Sequence, residues 1–308
     1  MHTNIDNFLI LERYPSRLFV RSYQQNLYYR DAYLRSQPQA PNYSFFLTAP
    51  DSCQILAEIH FHREGRQATS QLFAPFGSLV SGPLSTEVAR LFLTDILKSL
   101  ENKGMHRISI CHPSSCYNPN PIWEDLLLEF GFKGISAINH HLKVDERPLS
   151  EKMHYMEKRK LAKCSDFVFR VLPKDQLKVI YDYIHDCRKQ KQQRLSLSYR
   201  RLERIVQNNI DHFLLCAVYD ETMLAAASIV IKVNSNCWYQ FYPAHHQGYD
   251  RQSPMVFLTS ELYCYAHHQG IEVIDLGTSE LDQQPLEGLL TFKSRLGGIQ
   301  TNKTVYSI

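Results

Sequence analysis

Gln-Gly-Tyr-Asp-Arg-Gln-Ser-Pro-Met, residues 247–255, is the stretch on which the fold turns. Three runs with strand character precede it: 213–219, 223–233 and 237–242. A helix is predicted after it, from Pro254 to Gln269, with Ser253 as its cap and Pro254 in the first turn. A strand at 271–276, a helix at 286–296 and a last strand at 300–306 complete the series. Three strands, a loop, a helix and then strand, helix, strand predict a mixed sheet covered by helices on both faces, an α/β (α+β) unit.

The first half runs in the same order. Strands are predicted at 42–49, 54–62 and 67–73, followed by the proline-bearing loop 75–83 and a helix capped by Ser85. A strand at 106–111, a helix at 121–130 and a strand at 135–144 complete it. Gly104, Pro119 and Gly131 recur as Gly270, Pro285 and Gly297, each 166 residues on. Ile108 and Ile110 recur as Ile274 and Leu276, and Leu91, Phe92 and Ile96 as Phe257, Leu258 and Leu262. The chain therefore reads as one unit used in tandem. The sequence places an N-terminal domain at 1–148, a charged helical connector at 149–164 and a C-terminal domain at 165–308. Residues 17–36 read as a further helix.

The 308 residues, at about 150 per domain, agree with two domains. A net charge of +3 selects neither nucleic acid nor an anionic membrane as partner. No apolar run is long enough to span a bilayer, and Glu12, Arg13 and Arg17 interrupt anything resembling a leader. The eight cysteines form no CxxC pair, which fits reduced thiols in a cytoplasmic protein. Three His-His doublets point their rings apart, so no metal site is expected.

The loop at 247–255 carries the first chemical signal. A helix N-terminus exposes unsatisfied N–H groups and the positive end of a dipole, which suits a pyrophosphate. Gly248 allows close approach, and Arg251, Gln252, Ser253 and Met255 line the same turn. An ordinary capped helix gives the same pattern.

The segments Ile-Asp-Leu-Gly-Thr-Ser-Glu (274–280) and Gly-Leu-Leu-Thr-Phe-Lys-Ser-Arg-Leu-Gly-Gly (288–298) resemble the C-terminal signature of double-domain GNAT-like acyltransferases. These are relatives of the Fem-type peptidoglycan aminoacyltransferases. Ala-Pro-Phe-Gly (74–77) and Glu-Lys-Arg-Lys-Leu (157–161) are similar to shorter motifs of one bacterial branch. The resemblance covers the chain from about residue 40 onward. It implies a tandem GNAT-type acyl-CoA N-acyltransferase fold, acyl-CoA (acetyl-CoA) as cofactor, and transfer to a small-molecule or peptide amine. It also implies a donor lying between splayed strands, a general base and a backbone N–H that polarises the acyl carbonyl.

Glu280, beyond the strand end at Gly277, is the candidate base. Asp275 is a second catalytic candidate, or a structurally paired carboxylate. Gln240, Tyr242 and Lys293 are candidate substrate-binding residues; strand alternation puts Gln240 and Tyr242 on one face. Lys158, Arg159, Lys160, Lys163, Lys189, Lys191 and Arg194 make the connector region basic, as a solvated face or as a surface for an anionic substrate such as tRNA. Two other readings stand beside acyl-CoA-dependent transfer: aminoacyl transfer from charged tRNA, and a non-catalytic ligand-binding module. The first domain lacks an obvious base and reads as degenerate.

Overall fold

A computed structural model describes residues 8–12, 15, 19–281 and 284–308, and the chain divides into two compact units. The first comprises residues up to 137 together with 302–308, and the second comprises 138–301.

The first unit begins with β1 (Leu9–Leu11), β2 (Val20–Arg21) and a short helix α1 (Asp31–Ser36). A meander follows of β3 (Tyr43–Ala49), β4 (Gln54–Glu64) and β5 (Gln67–Ser70). The short strand β6 (Val80–Ser81) pairs with β4 and leads into α2 (Thr86–Asn102). Ser85 caps α2 as expected, its Oγ accepting the Val88 N–H at 3.3 Å. Helix α2 buries Val88, Ala89, Phe92, Leu93, Ile96 and Leu100, a stripe of helical period. Each large apolar side chain so buried is worth about 1.5–3 kcal/mol. Then come β7 (Arg107–His112), α3 (Ile122–Glu129) with Trp123 fully buried, and β8 (Lys133–Lys143).

From Ile138 onward β8 belongs to the second unit. There α4 (Leu149–Lys152) and α5 (Tyr155–Leu161) precede β9 (Phe167–Leu172), α6 (Leu177–Gln190) and α7 (Tyr199–Asn208). The meander is β10 (Phe213–Asp220), β11 (Met223–Lys232) and β12 (Cys237–His245). Helix α8 (Pro254–His268) leads to β13 (Val273–Thr278), which pairs with both β12 and β8. A small hairpin, β14 (Glu280–Leu281) with β15 (Gln284–Pro285), precedes α9 (Glu287–Arg295) and β16 (Ile299–Ser307). Strand β16 returns the chain to the first unit, where Thr304 to Ser307 pair antiparallel with β7.

The order expected from the sequence is thus present in both units, and the offset of 166 has a structural meaning. Gly104 and Gly270 lie just beyond the ends of α2 and α8 with φ of +74° and +71°. Gly131 and Gly297 lie just beyond α3 and α9 with φ of +84° and +89°. Both pairs are left-handed helix ends, where a Cβ is penalised. Pro119 and Pro285 share no element: the first is in a loop, the second in β15.

Other expectations need correcting. Residues 17–36 are not one helix: β2 and a 3₁₀ turn at Leu27–Tyr29 precede α1, and residues 17 and 18 lie outside the described residues. Leu27, Tyr28 and Tyr29 are instead buried together. The connector breaks at Met153–His154, where the His154 N–H turns to the Arg295 carbonyl. The sequence assigns the last strand to the second domain, whereas residues 302–308 belong to the first unit because their partner is β7. The cysteines are all free, with Cys53 and Cys264 exposed. Among the described residues no helix is long and apolar enough to cross a membrane, and none of the His, Cys, Asp and Glu side chains cluster in threes as metal ligands would.

The first unit also buries an ion pair. Arg21 grips Glu58 with Nε and Nη2 at 2.7 and 2.9 Å, and the Tyr23 hydroxyl donates to the same carboxylate at 2.7 Å. Burial pushes the Glu58 carboxyl up, but bonding to His60 and Arg21 overcomes it and holds the group at about 2. A depressed carboxyl contributes stability above its unfolded value, 4.5, and loses it as pH falls toward 2. We expect Glu58→Gln to destabilise the chain by about 3 kcal/mol at neutral pH, since it breaks a buried pair. The gap from wild type should close as pH falls toward 2, which thermal unfolding across that range would check.

Candidate functional site in the second unit

Parallel strands β12 and β13 pair at only three positions, Cys237↔Val273, Trp238↔Ile274 and Tyr239↔Asp275. Two backbone irregularities end the ladder. Strand β12 bulges at Phe241, since Gln240 pairs with Val230 while Tyr242 pairs with the adjacent Ile229. Strand β13 bulges at Leu276, since Asp275 pairs with His141 of β8 while Gly277, with a φ of +75°, pairs with the adjacent His140. A Cβ on Gly277 would also lie 3.1 Å from the Tyr239 ring. Beyond Tyr239 the two strands part, and a cavity of about 880 Å³ opens between Tyr239–Phe241 and Pro243–His245 on one side and Leu276–Thr278 on the other. The edge of β12 that faced β13 has no ladder partner there.

The first unit begins the same way and ends differently. Strands β5 and β7 also pair at three positions, Gln67↔Arg107, Ala68↔Ile108 and Thr69↔Ser109. There the next loop fills the gap. Gln71 turns it with φ of +39°, the Cys111 N–H donates to Ser70 Oγ at 2.9 Å, and the Gly77 N–H donates to the Cys111 carbonyl at 3.0 Å. Phe76 packs edge-on against Tyr28 and is 2% exposed. Cys111 stands 166 residues before Gly277, so the position that opens the second unit is the one that the loop seals in the first.

Of the residues singled out by sequence, Glu280, Ser253, Met255, Gln240 and Lys293 line the second-unit cavity. A carboxylate oxygen of Glu280 accepts the Ile138 N–H at 2.9 Å. Lys293, on α9 and only 6% exposed, donates to the Gly277 and Thr278 carbonyls, both at 2.8 Å. Burial pushes its ammonium down to about 8; Asp275 opposes that shift and Arg188 adds to it. Below that pH the amine is a cation fixed against the end of β13.

Asp275, Tyr242, Gly248, Arg251 and Gln252 are not among the lining residues. Asp275 is buried, and its Oδ1 accepts Asn139 Nδ2 and the Gly277 N–H, both at 2.8 Å. It pins the turn at Gly277. Tyr242 does not share a face with Gln240, because the bulge makes them successive rungs; its hydroxyl bonds to Ser196 Oγ and the Leu197 N–H. Gly248, Arg251 and Gln252 lie exposed in the turn before α8. Ser253 occupies the cap position, but its φ of +56° turns the side chain away from the helix, and its Oγ donates to the Asp250 carbonyl. Most amides of this turn are already bonded: Gly248 to His246 Nδ1, and Tyr249, Asp250, Gln252, Ser253 and Val256 to carbonyls within it. The turn is a weaker anion cradle than its sequence suggests.

The basic connector region contributes more than expected. Lys160, Lys191 and Arg194 line the cavity, as does Arg188, which sequence reasoning missed. A signal was present. In α6 the buried residues Leu177, Ile180, Tyr181, Ile184 and Cys187 form one stripe, and Arg188 continues it at helical spacing. A cation on an apolar stripe is costly unless the site uses it.

Removing the Asp275 acceptor strands two buried donors, so Asp275→Ala is expected to cost about 2–4 kcal/mol. Asp275→Asn, which keeps one oxygen, should cost clearly less. Urea unfolding of the two variants would show whether they separate in this order.

Residues 152–288 match the family model described as an acetyltransferase (GNAT) domain. No curated protein sequence matches the chain. Among solved structures, that of FemX is similar at a TM-score of 0.65 with 11% identity, covering 90% of this chain and 94% of FemX. L-PGS from Bacillus licheniformis is similar at 0.59 with 13% identity, over 82% of this chain and 80% of its own. A tandem GNAT protein from the clavulanic acid biosynthesis pathway is similar at 0.55 with 10% identity, over 90% and 86%. The chain thus carries a GNAT-type acyltransferase domain over residues 152–288, within a fold it shares with FemX and with a tandem GNAT protein.

Proposed function

We propose that the second unit is an N-acyltransferase that moves an acyl group from acyl-CoA to a small-molecule or peptide amine, in the cleft between β12 and β13. The observation that carries this reading is the end of the ladder at Tyr239↔Asp275, which leaves an 880 Å³ gap with a carboxylate and a buried cation on its wall. Parted strands offer a slot for a thin acyl-bearing arm and unpaired backbone N–H groups along one side. The phosphates of the donor would meet Arg251 and the cations Lys191 and Arg194, since the amides before α8 are committed.

Glu280 is the base in this reading. It takes a proton from the attacking ammonium, directly or through one water. The freed amine attacks the acyl carbon, a C–N bond forms and the C–S bond breaks. The thiolate leaves and takes up a proton. A β12 amide near the Phe241 bulge stabilises the oxyanion formed on the way. Asp275 acts at one remove, by holding Gly277 and so the end of β13. The first unit, with its gap sealed, is a scaffold. The reaction suits a cytoplasmic enzyme with access to the CoA pool.

A second reading has its own support. The cations Lys160, Arg188, Lys191 and Arg194 along the cleft also suit a larger anionic donor such as charged tRNA.

Mass-spectrometric transfer assays over a panel of amines, with acetyl-CoA and with charged tRNA as donors, decide between the two. Glu280→Gln should lower transfer by about 100-fold or more while leaving stability within about 0.5 kcal/mol. Undiminished transfer in Glu280→Gln removes Glu280 from the mechanism. Transfer from neither donor favours a ligand-binding module.

A further inference from the structure

Three side chains that can only donate hydrogen bonds through the atoms concerned meet in the cleft. Gln240 is 5% exposed, lines the cavity, and its Nε2 has no hydrogen-bond partner. Lys293 spends two of its N–H groups on the Gly277 and Thr278 carbonyls. Arg188 spends Nη1 on Gln193 Oε1 at 2.6 Å and Nη2 on the Pro243 carbonyl at 2.9 Å, which leaves the rest of its fork uncommitted. Among the described residues neither Arg188 nor Lys293 has a carboxylate in a salt bridge.

An orphaned amide donor and two cations with no carboxylate in a salt bridge among the described residues are costly in a wall of partly excluded water. The cost falls if an acceptor with a negative charge arrives with the substrate. A carboxylate suits the group, because its two oxygens take a fork from arginine and single bonds from amide and ammonium. Glu280 lies in the same cavity and suits an ammonium. One cleft therefore presents complementary ends to a molecule with both charges.

We propose that the acyl acceptor is an amino acid, or an amine bearing a carboxylate of that kind, with Arg188, Gln240 and Lys293 forming the subsite for its carboxylate. The proposal rests on the acyl-transfer reading for the word acceptor, but the subsite itself is a binding site and can be tested without turnover.

The test uses the full chain and, as probes, the free amino acids paired with their carboxamides, which keep the amine and lose the charge. Calorimetric titration is run below pH 8, where Lys293 is charged. At least one free acid should bind about tenfold or more tightly than its carboxamide. Arg188→Met and Gln240→Leu, each shown to be folded by circular dichroism, should lose that preference. Equal binding of acid and carboxamide, no binding by any acid, or a preference that survives both substitutions overturns the subsite. Acid-selective binding without transfer from either donor leaves the subsite standing and removes the acyltransferase. Transfer to amines without regard to a carboxylate does the reverse.

Discussion

The parallel ladder between β12 and β13 stops after Tyr239↔Asp275, and the cavity of the second unit depends on that stop. A GNAT-type sheet that zipped to its end would have no interior to offer a substrate. Here the parting is enforced from both strands. The Phe241 bulge rotates β12, and β13 bulges at Leu276 before Gly277, whose φ is +75°. Asp275 accepts the Gly277 N–H, and Lys293 binds the carbonyls of Gly277 and Thr278. A carboxylate and an ammonium thus hold the same turn from its donor and acceptor sides. Such a turn, over-determined by buried polar bonds, keeps its shape whether or not a ligand is present.

The first unit shows what happens when the same stop is given a plug. Its ladder is also three pairs long, yet the loop after β5 bonds to Cys111 and buries Phe76 against Tyr28 and Tyr117. Tandem use of one architecture has given one open and one sealed copy. The sealed copy is stiffened by a buried ion pair at Glu58, which suits a scaffold better than a site that must admit a ligand. Asymmetry of this kind is a reason to locate function from residues and not from fold.

Much of this was legible in the sequence. Period-2 and helical spacing gave the order of elements, and the glycines at an offset of 166 marked left-handed helix ends in both units. Glu280, Gln240 and Lys293 were picked out as residues of the cleft that they line. Features set by pairing partners were hidden. No residue type announces the bulge at Phe241, so Tyr242 was placed on the wrong face. Ser253 has the right side chain for a cap but a backbone that cannot use it. The last strand pairs with β7, almost two hundred residues earlier, which local patterns do not encode. Arg188 was overlooked because charged helices are usually solvated, although its place on an apolar stripe set it apart.

The central claim is that the donor enters the second unit where β12 and β13 part. Hydrogen–deuterium exchange of the full chain, with and without the donor that supports transfer, tests it most directly. The account expects new protection at residues 239–245 and 276–280 and unchanged exchange at residues 70–78 and 111–116. Protection confined to the first unit, or exchange at the second-unit cleft that the donor leaves untouched, would contradict it.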